Sequence, residues 1–157
     1  MFNGGNMKKS IHVIAMFLII LFFFSCGQSA IKEDPQDFAE SLLNKRIEHG
    51  GFNSDEYYSE LFWERTDPEK WRKMKSLVDE AMGDLKSYKL KTKQVREVKT
   101  DKFSGTFVTL IYDTIYEKGN GTERIGLTKP TTEDKFSIID HVFSSSEIRK
   151  MIFESLK

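Results

Sequence analysis

An α+β domain is predicted, with N-terminal helices packed on a curved four-stranded antiparallel meander and a short helix closing the chain. Three observations predict it. Between Pro35 and Leu85, apolar residues recur at the three- and four-residue spacing of helices that bury one face. At Ser87 the apolar period changes to two and keeps that value, apart from one slip, to Phe143. Turn-forming groups at Thr100-Asp101, Lys118-Gly119-Asn120-Gly121 and Thr131 to Asp134 divide this second half into strands. Helices segregated from an antiparallel sheet make the α+β class.

The first helix starts at Asp34-Pro35, a capping residue followed by proline at the first helical position. Phe38, Leu42, Leu43 and Ile47 carry it to about Glu48, and Gly50-Gly51 stop it. Ser54-Asp55-Glu56 opens a short helical segment bearing Tyr57, Tyr58, Leu61, Phe62 and Trp63. So many aromatics in one place form either a core wedge or a pocket wall. Thr66-Asp67-Pro68-Glu69 is the clearest helix start in the chain. Trp71, Met74, Leu77, Val78, Ala81, Met82 and Leu85 then trace one apolar stripe, with Arg72, Lys73, Lys75, Asp79, Glu80 and Lys86 on the wet face.

In the first strand Tyr88, Leu90, Thr92 and Gln94 alternate with Lys89, Lys91 and Lys93, and the apolar phase slips to Val95, which predicts a bulge after Gln94. The lysines read as a solvated edge that resists aggregation, or as a polyanion site. Phe103 to Glu117 is apolar on both faces, with Phe103, Phe107, Ile111 and Ile115 on one and Val108, Leu110, Tyr112 and Tyr116 on the other. Such a strand must be covered twice, once by the helices and once by a curled sheet, the C-terminal helix or a second subunit. The glycines and asparagine of Lys118 to Gly121 supply the positive φ of a hairpin turn. Thr122 to Lys129 places Ile125 and Leu127 on one face, and Phe136, Ile138, Ile139, Val142 and Phe143 make the last strand. Ser144 and Glu147 form a capping box for the closing helix of Ile148, Met151, Ile152 and Leu156.

Upstream of this domain lies a secretory leader. Lys8-Lys9-Ser10 is a charged n-region, Ile11 to Phe24 an apolar h-region, and Ser25 a small residue before Cys26, the only cysteine. The apolar run falls short of the about 20 residues that span a bilayer. Cys26 in this position resembles the lipobox of bacterial lipoproteins, with Phe23 and Phe24 where the commonest form has Leu and a small residue. The resemblance implies removal of residues 1–25 and acylation of Cys26, with palmitate-type chains anchoring the protein in the cell envelope, on the periplasmic or surface face of the outer membrane. Met7 reads as the start, since it places Lys8 and Lys9 directly in the n-region. Residues 26–34 then form a tether and 35–157 a single domain. Lys32-Glu33-Asp34 is similar to an export signal of surface lipoproteins but lies farther along, and Asp34 reads as the helix cap.

The full chain carries 24 Lys and Arg against 24 Asp and Glu, and the leader holds two of the lysines, leaving 22 against 24. Interspersed signs near neutrality give no basic footprint, so nucleic acid is excluded as a partner. The remaining length, roughly 130 residues, buries a core without disulfides.

The order of helices and strands from Pro35 to Phe143 resembles the cystatin-like and nuclear-transport-factor-like cone folds that occur among small bacterial lipoproteins. The resemblance implies a sheet wrapped around the helices, a conical cavity, and dimers formed through the outer sheet face. It implies no single function, because that architecture hosts enzymes and binders alike.

Catalytic constellations are sparse. His49 and His141 are the histidines after the leader, too few for a metal cluster, and no phosphate-cradling loop or nucleophile elbow is present. No cofactor is implied. Asp113, on the face of Phe107 and Ile111, Asp140, on that of Phe136 and Ile138, and His141 are the acid–base candidates, since a carboxylate among apolar neighbours has its pKa raised. Tyr112, Tyr116, Phe107 and Trp71 are the candidates for a ligand site or interface. The leading expectation is a lipid-anchored envelope module that binds a small apolar ligand, an envelope protein or a second copy of itself. A small cone-fold hydrolase or isomerase and an inhibitor or immunity-type protein presenting Tyr57 to Trp63 are the alternatives.

Overall fold

A computed structural model describes residues 33–52, 55–101 and 103–155. The expected leader, the expected lipidation site at Cys26 and residues 27–32 lie outside the described residues.

Helix α1 spans Pro35–His49. Asp34 accepts from Gln36 N at 2.7 Å, and the helix ends at Gly50, whose φ of 69° is open to glycine without steric cost. Glu33 and Asp34 belong to the domain and not to the tether. Glu33 Oε2 accepts from Phe136 N at 2.9 Å, and Asp34 pairs with Lys93 at 3.0 Å. A 3-10 turn over Asp55–Tyr57 and a single helical turn α2, Glu60–Trp63, follow. Helix α3 runs over Pro68–Met82 with Asp67 accepting from Glu69 N and Lys70 N, both at 2.9 Å.

The strands are β1, Leu85–Lys99, β2, Ser104–Tyr116, β3, Gly119–Pro130, and β4, Ser137–Ser145, in the spatial order β1-β2-β3-β4. All pairs are antiparallel. Helix α4, Ser146–Ser155, packs on α3 and closes the chain. The α+β architecture is the predicted one.

The helices cover one face of the sheet. Ala39, Leu42 and Leu43 of α1 and Val78, Ala81 and Met82 of α3 meet Val108, Leu110, Tyr112, Ile125, Leu127 and Ile138 in one core. Each fully buried aliphatic side chain contributes roughly 1.5–3 kcal/mol, so this cluster carries the fold. The other face, with Phe107 and Ile111 half-buried and Ile115 half-exposed, is not covered by α4, which lies against α3.

Four local expectations are corrected. The β1 bulge falls at Lys91, between the Leu90–Tyr112 and Thr92–Ile111 pairs, and not after Gln94, and a second irregularity lies at Lys86. The β2–β3 turn uses no positive φ: Tyr116 pairs with Gly119, so Glu117 and Lys118 make the turn and Gly119 to Gly121 are strand. It is held from outside, by Glu117 N donating to Asp84 O and Lys118 N to Met82 O, both at 2.9 Å. Ser145 rather than Ser144 caps α4, its Oγ accepting from Ile148 N at 2.9 Å. Ile139 is an extra residue between the Leu127–Ile138 and Gly126–Asp140 pairs. That bulge turns Asp140 away from the face of Ile138.

Candidate functional site

Arg46 stands on the buried face of α1, four residues after Leu42 and three after Leu43. Glu123 stands on the inner face of β3, two residues before Ile125. Both are buried, and Arg46 NH1 lies 2.7 Å from Glu123 Oε1 and 2.9 Å from Oε2. His141 of β4 brings Nε2 to 2.6 Å from Glu123 Oε1, and Tyr116 donates its hydroxyl to Oε2 at 3.0 Å. Donors thus meet the carboxylate on both oxygens, which is what allows a charge to persist without water. Arg46 NH2 donates to Tyr116 Oη at 3.2 Å, and the guanidinium lies 4.2 Å from the Phe52 ring centroid.

The electrostatics follow from this packing. Burial pushes the Glu123 carboxyl up, but the Arg46 charge and the His141 hydrogen bond pull harder and hold it down at about 2. Burial likewise disfavours charge on Arg46, and Glu123 and Tyr116 outweigh it, so its pKa is raised. Burial, reinforced by Glu123, raises the Tyr58 and Tyr116 phenols, which stay protonated.

These states assign the His141 tautomer from its partners. An ionised Glu123 only accepts, so Nε2 carries the proton. In the neutral imidazole Tyr58 Oη then donates to Nδ1 across 2.8 Å. The Trp71 indole N–H is buried beside the Tyr58 ring and closes no hydrogen bond among the described residues. A relay of Tyr58, His141, Glu123 and Arg46 therefore runs from the Tyr58 segment through β4 and β3 to α1.

A groove of about 580 Å³ lies on the α3 side of this relay. Phe62, Trp71, Met74 and Phe143 make its apolar wall, Arg65 and Lys70 stand with it, and Ile139 to Phe143 of β4 form its other side. The His141 ring packs between Phe143, at 4.5 Å between centroids, and Trp71, at 5.6 Å. A general base needs a ring nitrogen within hydrogen-bond reach of the proton it takes. Both nitrogens of His141 are engaged by protein groups, so the histidine shapes the groove as a fixed aromatic wall.

The other sequence-derived candidates are dispersed. Asp113 is exposed and pairs with Lys91 at 3.1 Å. Asp140 lies on the outer face and pairs with Arg124 at 2.8 Å. Both carboxylates are well exposed and ion-paired, so their assignment as desolvated bases is corrected. Tyr112 and Tyr116 are core residues, 0 % and 6 % exposed, and neither lines the groove. Phe107 is on the outer face against Phe103, 4.8 Å between centroids. Trp71 is the candidate that lines the groove. The lysine comb is partly neutralised, Lys91 by Asp113 and Lys93 by Asp34. His49 is exposed beside Glu48 at the end of α1.

Among the described residues no group of three or more His, Cys, Asp or Glu converges on a metal position, and no helix is long and apolar enough to cross a membrane. Compared with known proteins, the chain matches no family model, no curated protein and no solved structure. Its site is therefore read from its own chemistry.

Arg46 and Glu123 are the residues that sequence reasoning missed. Each had a signal, an ionic side chain placed on an otherwise apolar stripe. Such residues are almost never fully buried unless paired.

Proposed function

We propose that the chain is a cell-envelope lipoprotein, anchored through acyl chains on Cys26, whose α+β domain is a binding module for a small apolar ligand or an envelope partner. The anchoring rests on the leader sequence, Lys8 to Gly27. The binding role rests on one observation, the groove walled by Phe62, Trp71, Met74 and Phe143. Ligand sites are concave and mostly apolar, with a few placed polar groups, and Arg65, Lys70 and Thr66 supply those groups here. Binding is favoured over catalysis because the histidine at the groove offers no free nitrogen and the neighbouring carboxylates are paired.

The test is a titration of the full-length protein in detergent with anilinonaphthalene sulfonate, a small aromatic anion, read by energy transfer from tryptophan. Saturable binding to the wild type, weakened about tenfold in Met74→Glu and Val142→Glu, is the expected result. Both side chains are well exposed, 38 % and 40 %, so neither change burdens the core. Equal binding by wild type and variants would remove the groove as the site.

A further inference from the structure

Strand β4 is an edge of the sheet, and its two halves differ. At Ile138 the edge is occupied: Tyr58 forms a parallel bridge there, and Ser59 N donates to Ile138 O at 2.9 Å. Beyond it, among the described residues, no backbone group from Ile139 to Phe143 bonds to chain outside the sheet. Those five consecutive residues line the groove. In a strand, alternate side chains point to opposite faces, so five in succession reach one groove only along the strand's edge.

Open edges are normally blunted by lysines, prolines or inward charges. β1, the opposite edge, follows that rule with Lys89, Lys91, Lys93 and Arg96. The free stretch of β4 does not. It contains no Lys, Arg or Pro, and the charge of its single acid, Asp140, is taken by Arg124 at 2.8 Å. Arg65 and Lys70 stand in the groove with no ion pair to any described residue. The groove therefore combines an unpaired main-chain edge, an apolar wall beside it and an excess of positive charge.

We propose that this groove takes an extended, acidic peptide segment of a partner protein, added as a fifth strand along Ile139 to Phe143, with a carboxylate of the peptide at Arg65 and Lys70. The inference rests on the reading of the groove as a binding site and specifies its occupant. Strand addition gives affinity through main-chain hydrogen bonds and specificity through pockets for alternate side chains. Here the peptide's inward side chains would lie against Trp71, Phe62 and Met74. The Tyr58–Ser59 segment sets where the added strand begins, because it already fills the edge at Ile138.

The experiment uses the full-length protein in detergent and fluorescein-labelled peptide pools that alternate Val, Leu or Phe with random small polar residues and end in two aspartates. Two further pools carry backbone N-methyl groups at odd or at even positions, and a fourth ends in two lysines. Fluorescence anisotropy should show binding of the acidic pool, about tenfold weaker binding of one N-methylated pool and little change for the other, because only alternate amides face the edge. The Arg65→Glu/Lys70→Glu variant, altered at two exposed positions, should prefer the lysine-ended pool. Amide hydrogen exchange in Ile139 to Phe143 should slow in the complex. The proposal is overturned if the acidic pool does not bind, if both N-methylated pools bind like the parent, or if the charge-reversed variant keeps its preference for acid. Should anilinonaphthalene sulfonate still bind in a Met74→Glu-sensitive way while the pools do not, strand addition falls and a small-molecule groove remains. Loss of both removes the reading beneath it as well.

Discussion

His141 Nε2 lies 2.6 Å from Glu123 Oε1, so the ring that walls the groove is fixed by the same carboxylate that neutralises Arg46. The groove and the buried ion pair are thereby one construction. Helix α1 supplies the cation, β3 the anion, β4 the wall, and the Tyr58 segment holds the far side of the imidazole. A buried ion pair is weak evidence for stability, because desolvation offsets much of the attraction. Its consequence here is positional: it sets the ring plane and tautomer of a groove-lining residue from beneath.

Breaking that pair from one side should be costly. Arg46→Met leaves Glu123 charged in the core, and Glu123→Leu does the same to Arg46, so each should lose about 3–5 kcal/mol. The double variant removes both charges and should cost clearly less than the two singles combined. Urea denaturation of the three variants measures this. Additive losses would show that the two charges do not depend on each other.

Acid should dismantle the same contact. The folded pKa of Glu123, about 2, lies below its ordinary value of 4.5, so the folded state binds its proton less readily than the unfolded chain. The stabilisation is fully present above about pH 4.5 and is lost as the pH falls towards 2, on the order of 3 kcal/mol in all. Arg46 stays charged and Tyr58 and Tyr116 stay protonated throughout that window. Denaturation midpoints between pH 5 and 2 should therefore fall more steeply for the wild type than for Glu123→Gln. Parallel slopes would assign the acid sensitivity to the exposed carboxylates instead.

The helix starts were legible because capping is local chemistry: Asp34-Pro35 and Asp67-Pro68 carry their signal within a few residues. The strand faces of β2 were legible for the same reason, since alternation is read along one segment. What escaped was non-local. The β2–β3 turn is held by backbone bonds to Met82 and Asp84, which override what its glycines suggest. A single extra residue, Ile139, moved Asp140 to the opposite face from the one expected. The contact between Arg46 and Glu123 joins residues 77 positions apart. Each showed as an anomaly on its own stripe, but only the register of β3 on β4 and the docking of α1 reveal that they answer each other.

Tyr58 tests whether the far side of His141 matters. Tyr58→Phe keeps the edge-to-face contact with Trp71, 5.5 Å between centroids, and removes only the hydroxyl that meets Nδ1. A buried imidazole nitrogen then lacks its partner, and stability should fall by about 1–2 kcal/mol. Nitrogen chemical shifts of His141 should show the Nε2–H form in both proteins, with the Nδ1 signal displaced in the variant by loss of the hydroxyl. A mixture of tautomers in the variant would mean that Glu123 alone does not set the tautomer.

The start of α4 offers a sharp comparison of neighbours. Ser145 Oγ accepts from Ile148 N and contacts Met82 Sδ at 3.2 Å, whereas Ser144 is exposed. Ser145→Ala should cost about 1 kcal/mol as a lost cap, and Ser144→Ala close to nothing. Equal effects would return the cap to the position that the sequence pattern suggests.

Anchoring is tested at the other end of the chain. If Cys26 is acylated, the protein purified from its native membrane should give a mass spectrum whose mature N-terminus is Cys26 carrying acyl chains. Cys26→Ser should then accumulate as unprocessed precursor and take up no labelled palmitate, since the thiol that forms the thioether is gone. Acylation matters to the groove as well as to location: one chain gives only marginal membrane binding, while two or more hold the domain at the surface. A groove on a domain so tethered meets envelope proteins at high local concentration, so weak strand addition would suffice for function. Continued palmitate labelling of the serine variant, or a native N-terminus elsewhere, would detach the domain from the membrane and with it this route to a weak but effective complex.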